Sequence, residues 1–156
     1  MHPSQPDLFQ GLTESQVRET MALGSRKKLA SGEVLFALGD PAGCLYLIER
    51  GRIRLTLPMT IQGREEEMLV EERGPGQTIG WSALIPPYRF TLKGVALLDS
   101  EVIAFPRTAL IDHFQANPVL GYAVLLNLAT VIGHRLQLFQ AMWLRQMQQL
   151  VELRCA

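Results

Sequence analysis

With 47% hydrophobic residues and 15 basic side chains balanced by 15 acidic ones, this 156-residue chain has the apolar content for one packed domain. A formal charge of zero excludes a binder of nucleic acid or anionic membrane driven by net charge alone. The opening His2-Pro3-Ser4-Gln5-Pro6-Asp7 has no apolar signal core, and no run reads as a membrane span, so the sequence predicts a cytoplasmic protein without membrane contact. Cys44 and Cys155 are then expected as reduced thiols, and the scattered His2, His113 and His134 offer no metal-ligand spacing.

Residues 1–12 read as an N-terminal tail. A short helix is predicted from Glu14 to about Leu23, with Thr13 as N-cap, Gln16 completing a capping box and Gly24 ending it. Val17 and Met21 give it an apolar face. The basic triplet Arg26-Lys27-Lys28 reads as a solvated connection.

From Val34 to Phe105, short strand-like runs alternate with turn signals at Leu38-Gly39-Asp40-Pro41, Arg50-Gly51, Gln62-Gly63 and Gly74-Pro75-Gly76. This spacing predicts an antiparallel sandwich or jelly roll, mainly β with flanking helices, over residues 13–118. In Arg52 to Leu57, the residues Ile53, Leu55 and Leu57 point to a core, and Arg52, Arg54 and Thr56 to water. Glu65-Glu66-Glu67 should open the partner strand and guard a solvated edge.

The segment Ile79 to Thr91 places Gly80, a helix-like turn, Ser82, Arg89 and Thr91 between strand-like runs. Gly80 lets backbone approach a ligand, N–H groups follow it, and Arg89 supplies charge-assisted bonds, which together suggest an anion cradle. Taken alone, Arg89 has three readings: an anion ligand, a cation stacked on Tyr88 or Trp81, or ordinary surface charge.

Past Pro106, a short helix is expected with Leu110, Ile111 and Phe114 on its apolar face. Asn117-Pro118 then start a helix predicted from Val119 to about Leu150, roughly 45–50 Å long. Within residues 119–156, Ile132, Leu136, Phe139, Trp143, Met147 and Leu150 form a narrow stripe that either packs on the barrel or joins a homodimer. Overhang beyond the domain favours the dimer.

The order of Gly39-Asp40, Leu45 to Ile48, Gly51, the Gly80 segment and Arg135-Leu136 resembles the cyclic nucleotide-binding domain of the catabolite activator and cAMP-receptor superfamily. The resemblance spans Leu8 to Leu150. It implies an eight-stranded jelly roll with a phosphate-binding cassette at Gly80 to Thr91 and cAMP or cGMP as ligand. Gly80 would face the ribose, and Arg89 and Thr91 the phosphate, although counting back from Ala96 puts Phe90 at the arginine position. Trp81 stands where the family carries an acid for the ribose hydroxyl. An indole cannot accept that bond, a loss on the order of 1.5–3 kcal/mol.

After the Arg135-Leu136-Gln137 match, Phe139 and Gln140 fall at base-contacting positions. Phe139 equally suits the dimer seam, and Gln140 solvent. The chain's end at Cys155-Ala156 is expected to leave no helix-turn-helix DNA reader, so signalling would pass through an unknown protein partner. With neither a catalytic triad order nor paired carboxylates, the sequence predicts no enzyme. Two functions remain: a cyclic nucleotide sensor acting through its last helix, or a degenerate domain serving as a dimeric interaction module.

Overall fold

The structure, a computed structural model, describes residues 5–155. Met1 to Ser4 and Ala156 lie outside the described residues, and with them the start of the expected tail. Within 5–12, the 3-10 turn Asp7–Phe9 carries Leu8 and Phe9 into the core, both 0% exposed. Helix α1 (Glu14–Met21) opens with the capping box: Gln16 N–H donates to Thr13 Oγ1 at 3.2 Å, and Thr13 N–H to Gln16 Oε1 at 2.9 Å.

Eight strands follow: β1 (Ser25–Leu29), β2 (Val34–Phe36), β3 (Cys44–Arg50), β4 (Ile53–Ile61), β5 (Arg64–Arg73), β6 (Thr78–Ile79), β7 (Lys93–Ala96) and β8 (Ser100–Pro106). They form two antiparallel four-stranded sheets, in the orders β1-β8-β3-β6 and β2-β7-β4-β5. The chain is a jelly-roll-like double sheet flanked by helices. Arg26-Lys27-Lys28 corrects one expectation, because the triplet is part of β1, paired with β8, rather than a connection. Its side chains are exposed on an edge strand, where charge discourages further pairing. The lack of apolar alternation hid the strand.

Gln62 and Gly63, with φ of 50° and 77°, make the two-residue turn that suits the twist of the β4–β5 hairpin. Glu65, Glu66 and Glu67 lie on β5, the exposed edge of the second sheet. A register shift after Leu55 corrects the predicted alternation: Thr56 is 2% exposed and turned from water, opposite Leu69.

Helix α2 (Arg107–Ala116) buries Leu110 and Phe114, with Ile111 only half-buried. Asn117 separates it from α3 (Pro118–Cys155), whose 38 residues span about 57 Å. Leu120, Val124, Leu128 and Val131 seat the first half of α3 on the barrel side of the fold, and its burial ends at Arg135. Beyond Phe139, only Met147 is even half-buried.

The helix also overturns the expectation that no run reaches membrane-spanning length. It is long and apolar enough to cross a membrane by length and composition, with an 18-residue stretch of mean hydropathy 1.4 that is 33% buried. Asn127, His134 and Arg135 obscured that stretch in the sequence.

Candidate functional site

Gly80 sits between β6 and the 3-10 turn Trp81–Ala83 with φ +76°, a left-handed conformation that side chains rarely adopt. A Cβ there would also approach Tyr46, the Cys44 carbonyl and Phe90 to 3.2–3.3 Å. The backbone conformation therefore calls for glycine at this point, and the close packing adds to that preference. The turn itself is short, and the Ala83 N–H is already taken by the Gly80 carbonyl at 3.0 Å.

Downstream, residues 88–90 lie against residues 39–42. Ala42 N–H donates to the Tyr88 carbonyl at 2.8 Å, Gly39 N–H to the Phe90 carbonyl at 2.8 Å, and Phe90 N–H to the Asp40 carbonyl at 3.0 Å. Pro41 and Arg89 form an isolated antiparallel bridge. Extended backbone alternates its side chains, so this pairing decides the register. Arg89 and Thr91 are exposed, whereas Phe90 and Leu92 are 5% and 7% exposed. Arg89 donates through Nη1 to the Gly39 carbonyl at 2.8 Å. The cation over Tyr88 is Arg107, at 4.4 Å from the ring centre, rather than Arg89.

Phe90 points inward onto Phe36, ring centres 4.1 Å apart and planes within 13°, and Phe36 lies 5.9 Å from Tyr46. Trp81 is half-buried against the same core, and Ser82 is 4% exposed. The space bounded by Phe36, Gly80, Trp81, Phe90, Thr91 and Arg135 measures about 10 Å³. That is about one water molecule. Tyr46 is half-buried beside Phe36: burial, followed by the charge and hydrogen bond of Cys44, pushes its hydroxyl up to about 12. Burial likewise raises the Cys44 thiol, against the opposing charge of Lys27.

Arg135 enters this site from α3 and is 8% exposed. Its Nε donates to Glu71 Oε2 at 2.9 Å, so the carboxylate that meets it comes from β5, since the position after Gly80 holds an indole. Arg73 lies on the other side, Nε 3.3 Å from Glu71 Oε1. Burial lowers the pKa of the Arg135 guanidinium, with Glu71 opposing and Arg73 adding to the shift. The sequence singled out Arg135 only as half of an Arg-Leu pair and passed over Glu71 and Arg73. A lone arginine on the apolar side of a helix was the available signal.

Farther along α3, Gln140 is exposed, and Phe139 packs partly against the core. The six stripe residues divide. Ile132 and Phe139 touch the core and Met147 is half-buried, while Leu136, Trp143 and Leu150 are 57%, 64% and 48% exposed.

Comparison with known proteins gives this geometry a family. Residues 26–117 match the model of the cyclic nucleotide-binding domain. The cyclic AMP receptor protein of Thermus thermophilus is 28% identical over 130 residues, which cover 83% of this chain and 57% of that relative. The chain thus spans just over half of the relative's length. Among solved structures, the Thermus thermophilus catabolite activator protein superposes with a TM-score of 0.73 at 26% identity, over 88% of this chain and 61% of that one. The N-terminal domain of a Streptomyces coelicolor transcriptional regulator does so with a TM-score of 0.67 at 30% identity, over 82% and 89%.

Proposed function

The chain belongs to the cyclic nucleotide-binding domain family, and from that premise we propose a non-catalytic regulatory module whose nucleotide pocket is filled by its own aromatic side chains. One observation carries this reading. Phe90, at the arginine position counted back from Ala96, stacks on Phe36 and leaves about 10 Å³ beside Gly80. A cyclic nucleotide needs a far larger volume and a counter-charge for its phosphate. Trp81 removes the acceptor for the ribose hydroxyl, and Arg89 is turned outward to Gly39.

The module works by assembly through α3. Leu136, Trp143 and Leu150 lie exposed on a helix that outruns its domain, and a second copy of that helix would cover them. A protein partner would then read the pose of the paired helices.

Titration with cAMP and cGMP by calorimetry tests the filled pocket. No saturable heat is expected up to millimolar nucleotide, and micromolar binding would overturn the reading. Sedimentation at micromolar protein should give two chains, with Trp143→Glu shifting them to one by placing a charge in the seam. A wild-type monomer at high concentration would remove the assembly role.

A second reading, the nucleotide sensor, is favoured by the retained left-handed Gly80 beside buried Ser82. In that reading Gly80, Ser82, Arg89, Thr91 and Gln140 would form the site after Phe90 and Arg89 exchange sides. Loss of wild-type cAMP binding in Arg89→Ala would support it.

A further inference from the structure

On the other side of Arg135 from the filled pocket, a cleft of about 520 Å³ opens between β5, the Asp7–Phe9 turn and α3. We propose that this cleft is a second ligand site, taking a small organic oxyanion, a carboxylate or phosphate, on Arg73 and Arg135. The volume falls within the range of small-molecule sites and exceeds that of a bare ion. Val131 and Leu138 supply apolar wall, while Asn127, Thr130 and His134 supply polar groups.

Hydrogen-bond accounting points to an anion. A guanidinium has five N–H donors and no acceptor. Among the described residues, the only side-chain hydrogen bond from either arginine is Arg135 Nε to Glu71. Arg135 Nη2 is buried without a hydrogen-bond partner, and Arg73 Nε, also buried, meets Glu71 Oε1 at 3.3 Å as an ion pair without an aligned hydrogen bond. Such groups are costly to leave unpaired.

Charge leads the same way, since Arg73, Arg135 and Glu71 sum to +1, with side chains only 13%, 8% and 16% exposed. Asp7, the other carboxylate lining the cleft, brings the sum over the lining to zero, but its oxygens are engaged by Thr78, whose N–H and Oγ1 donate to it at 3.1 and 2.5 Å. A bound oxyanion would balance the pair and accept from both arginines. Because Arg73 belongs to β5 and Arg135 to α3, it would also pin the long helix to the sheet. That gives the domain a second effector input, one that shares Arg135 with the nucleotide pocket.

The full chain is titrated with citrate, AMP and inorganic phosphate at constant ionic strength, by calorimetry and thermal shift. Citrate or AMP should saturate and raise Tm, binding at least about tenfold more tightly than inorganic phosphate. Arg73→Gln should weaken binding about tenfold or more, and Glu71→Gln, which removes the competing carboxylate, should tighten it. His134→Trp obstructs the cleft without altering the ion cluster and should block binding even if Arg73→Gln fails to fold. Absence of saturable binding by all three probes overturns the proposal. So does binding that survives both Arg73→Gln and His134→Trp. An anion lost in Trp81→Ala but kept in Arg73→Gln would occupy the nucleotide pocket instead, and the cleft site would fall.

Discussion

Arg135 stands between two regions that treat a cavity in opposite ways. On the Gly80 side, Phe36 and Phe90 close the space to about 10 Å³, and on the β5 side, Arg73, Glu71 and Arg135 border about 520 Å³. Aromatic rings gain by contact and exclude water, so they close a pocket with no further requirement. Guanidinium groups lose solvation on burial and need acceptors, so they disfavour collapse.

Emptying the closed side should produce the largest effect. Phe90→Ala removes a 5% exposed ring from its stack and is expected to cost about 3–5 kcal/mol. Urea unfolding should show a lower midpoint at unchanged slope. A loss below about 1 kcal/mol would mean that Phe90 can leave the pocket without penalty, and the contrast with the cleft would fail.

On the charged side, the response should depend on which partner is removed. Glu71→Ala leaves Arg73 and Arg135 beside each other without their shared carboxylate and should cost about 3 kcal/mol. Arg135→Met keeps the Arg73–Glu71 pair and fills similar volume, so a change within about 1 kcal/mol is expected. Equal losses in the two variants, compared by the same unfolding curves, would show that the cluster acts as an ordinary stabilising ion pair.

A smaller effect separates Arg89 from Phe90. Arg89 is exposed and makes one recorded hydrogen bond, to the Gly39 carbonyl, so Arg89→Ala should cost no more than about 1 kcal/mol. A loss comparable to that of Phe90→Ala would place Arg89 in the core arrangement rather than on its outer side.

What the sequence made legible was mostly local. The Thr13/Gln16 capping box, the Gln62-Gly63 turn and the apolar side of β4 as far as Leu55 each lie within a few residues of their cause. Trp81 in place of an acid was equally visible. Whether Arg89 or Phe90 faces inward was not, because pairing with residues 39–42, some 50 positions away, decides it. The Arg135–Glu71 contact joins residues 64 positions apart, and neither residue marks the other. Arg26 to Lys28 showed no strand pattern because their pairing with β8 requires none. The length of α3 was underestimated for the opposite reason: nothing in its last turns stops a helix, and Gln and Leu continue it to Cys155.

Alkaline pH offers the smallest test, one with no effect near neutrality. Tyr46 underlies the Phe36–Phe90 stack, and its folded pKa is pushed up to about 12, from an ordinary 10.0, chiefly by burial. A pKa raised in the folded state means that the folded protein holds the proton more tightly than the unfolded chain. The contribution is therefore complete below about pH 10 and is lost progressively as pH rises toward about 12. Unfolding curves at pH 9 and 11.5 should show a decline for the wild type that is reduced in Tyr46→Phe. If Tyr46→Phe declined just as steeply, the hydroxyl would be well solvated, and the filled pocket would lack the dry floor that sets it apart from the cleft.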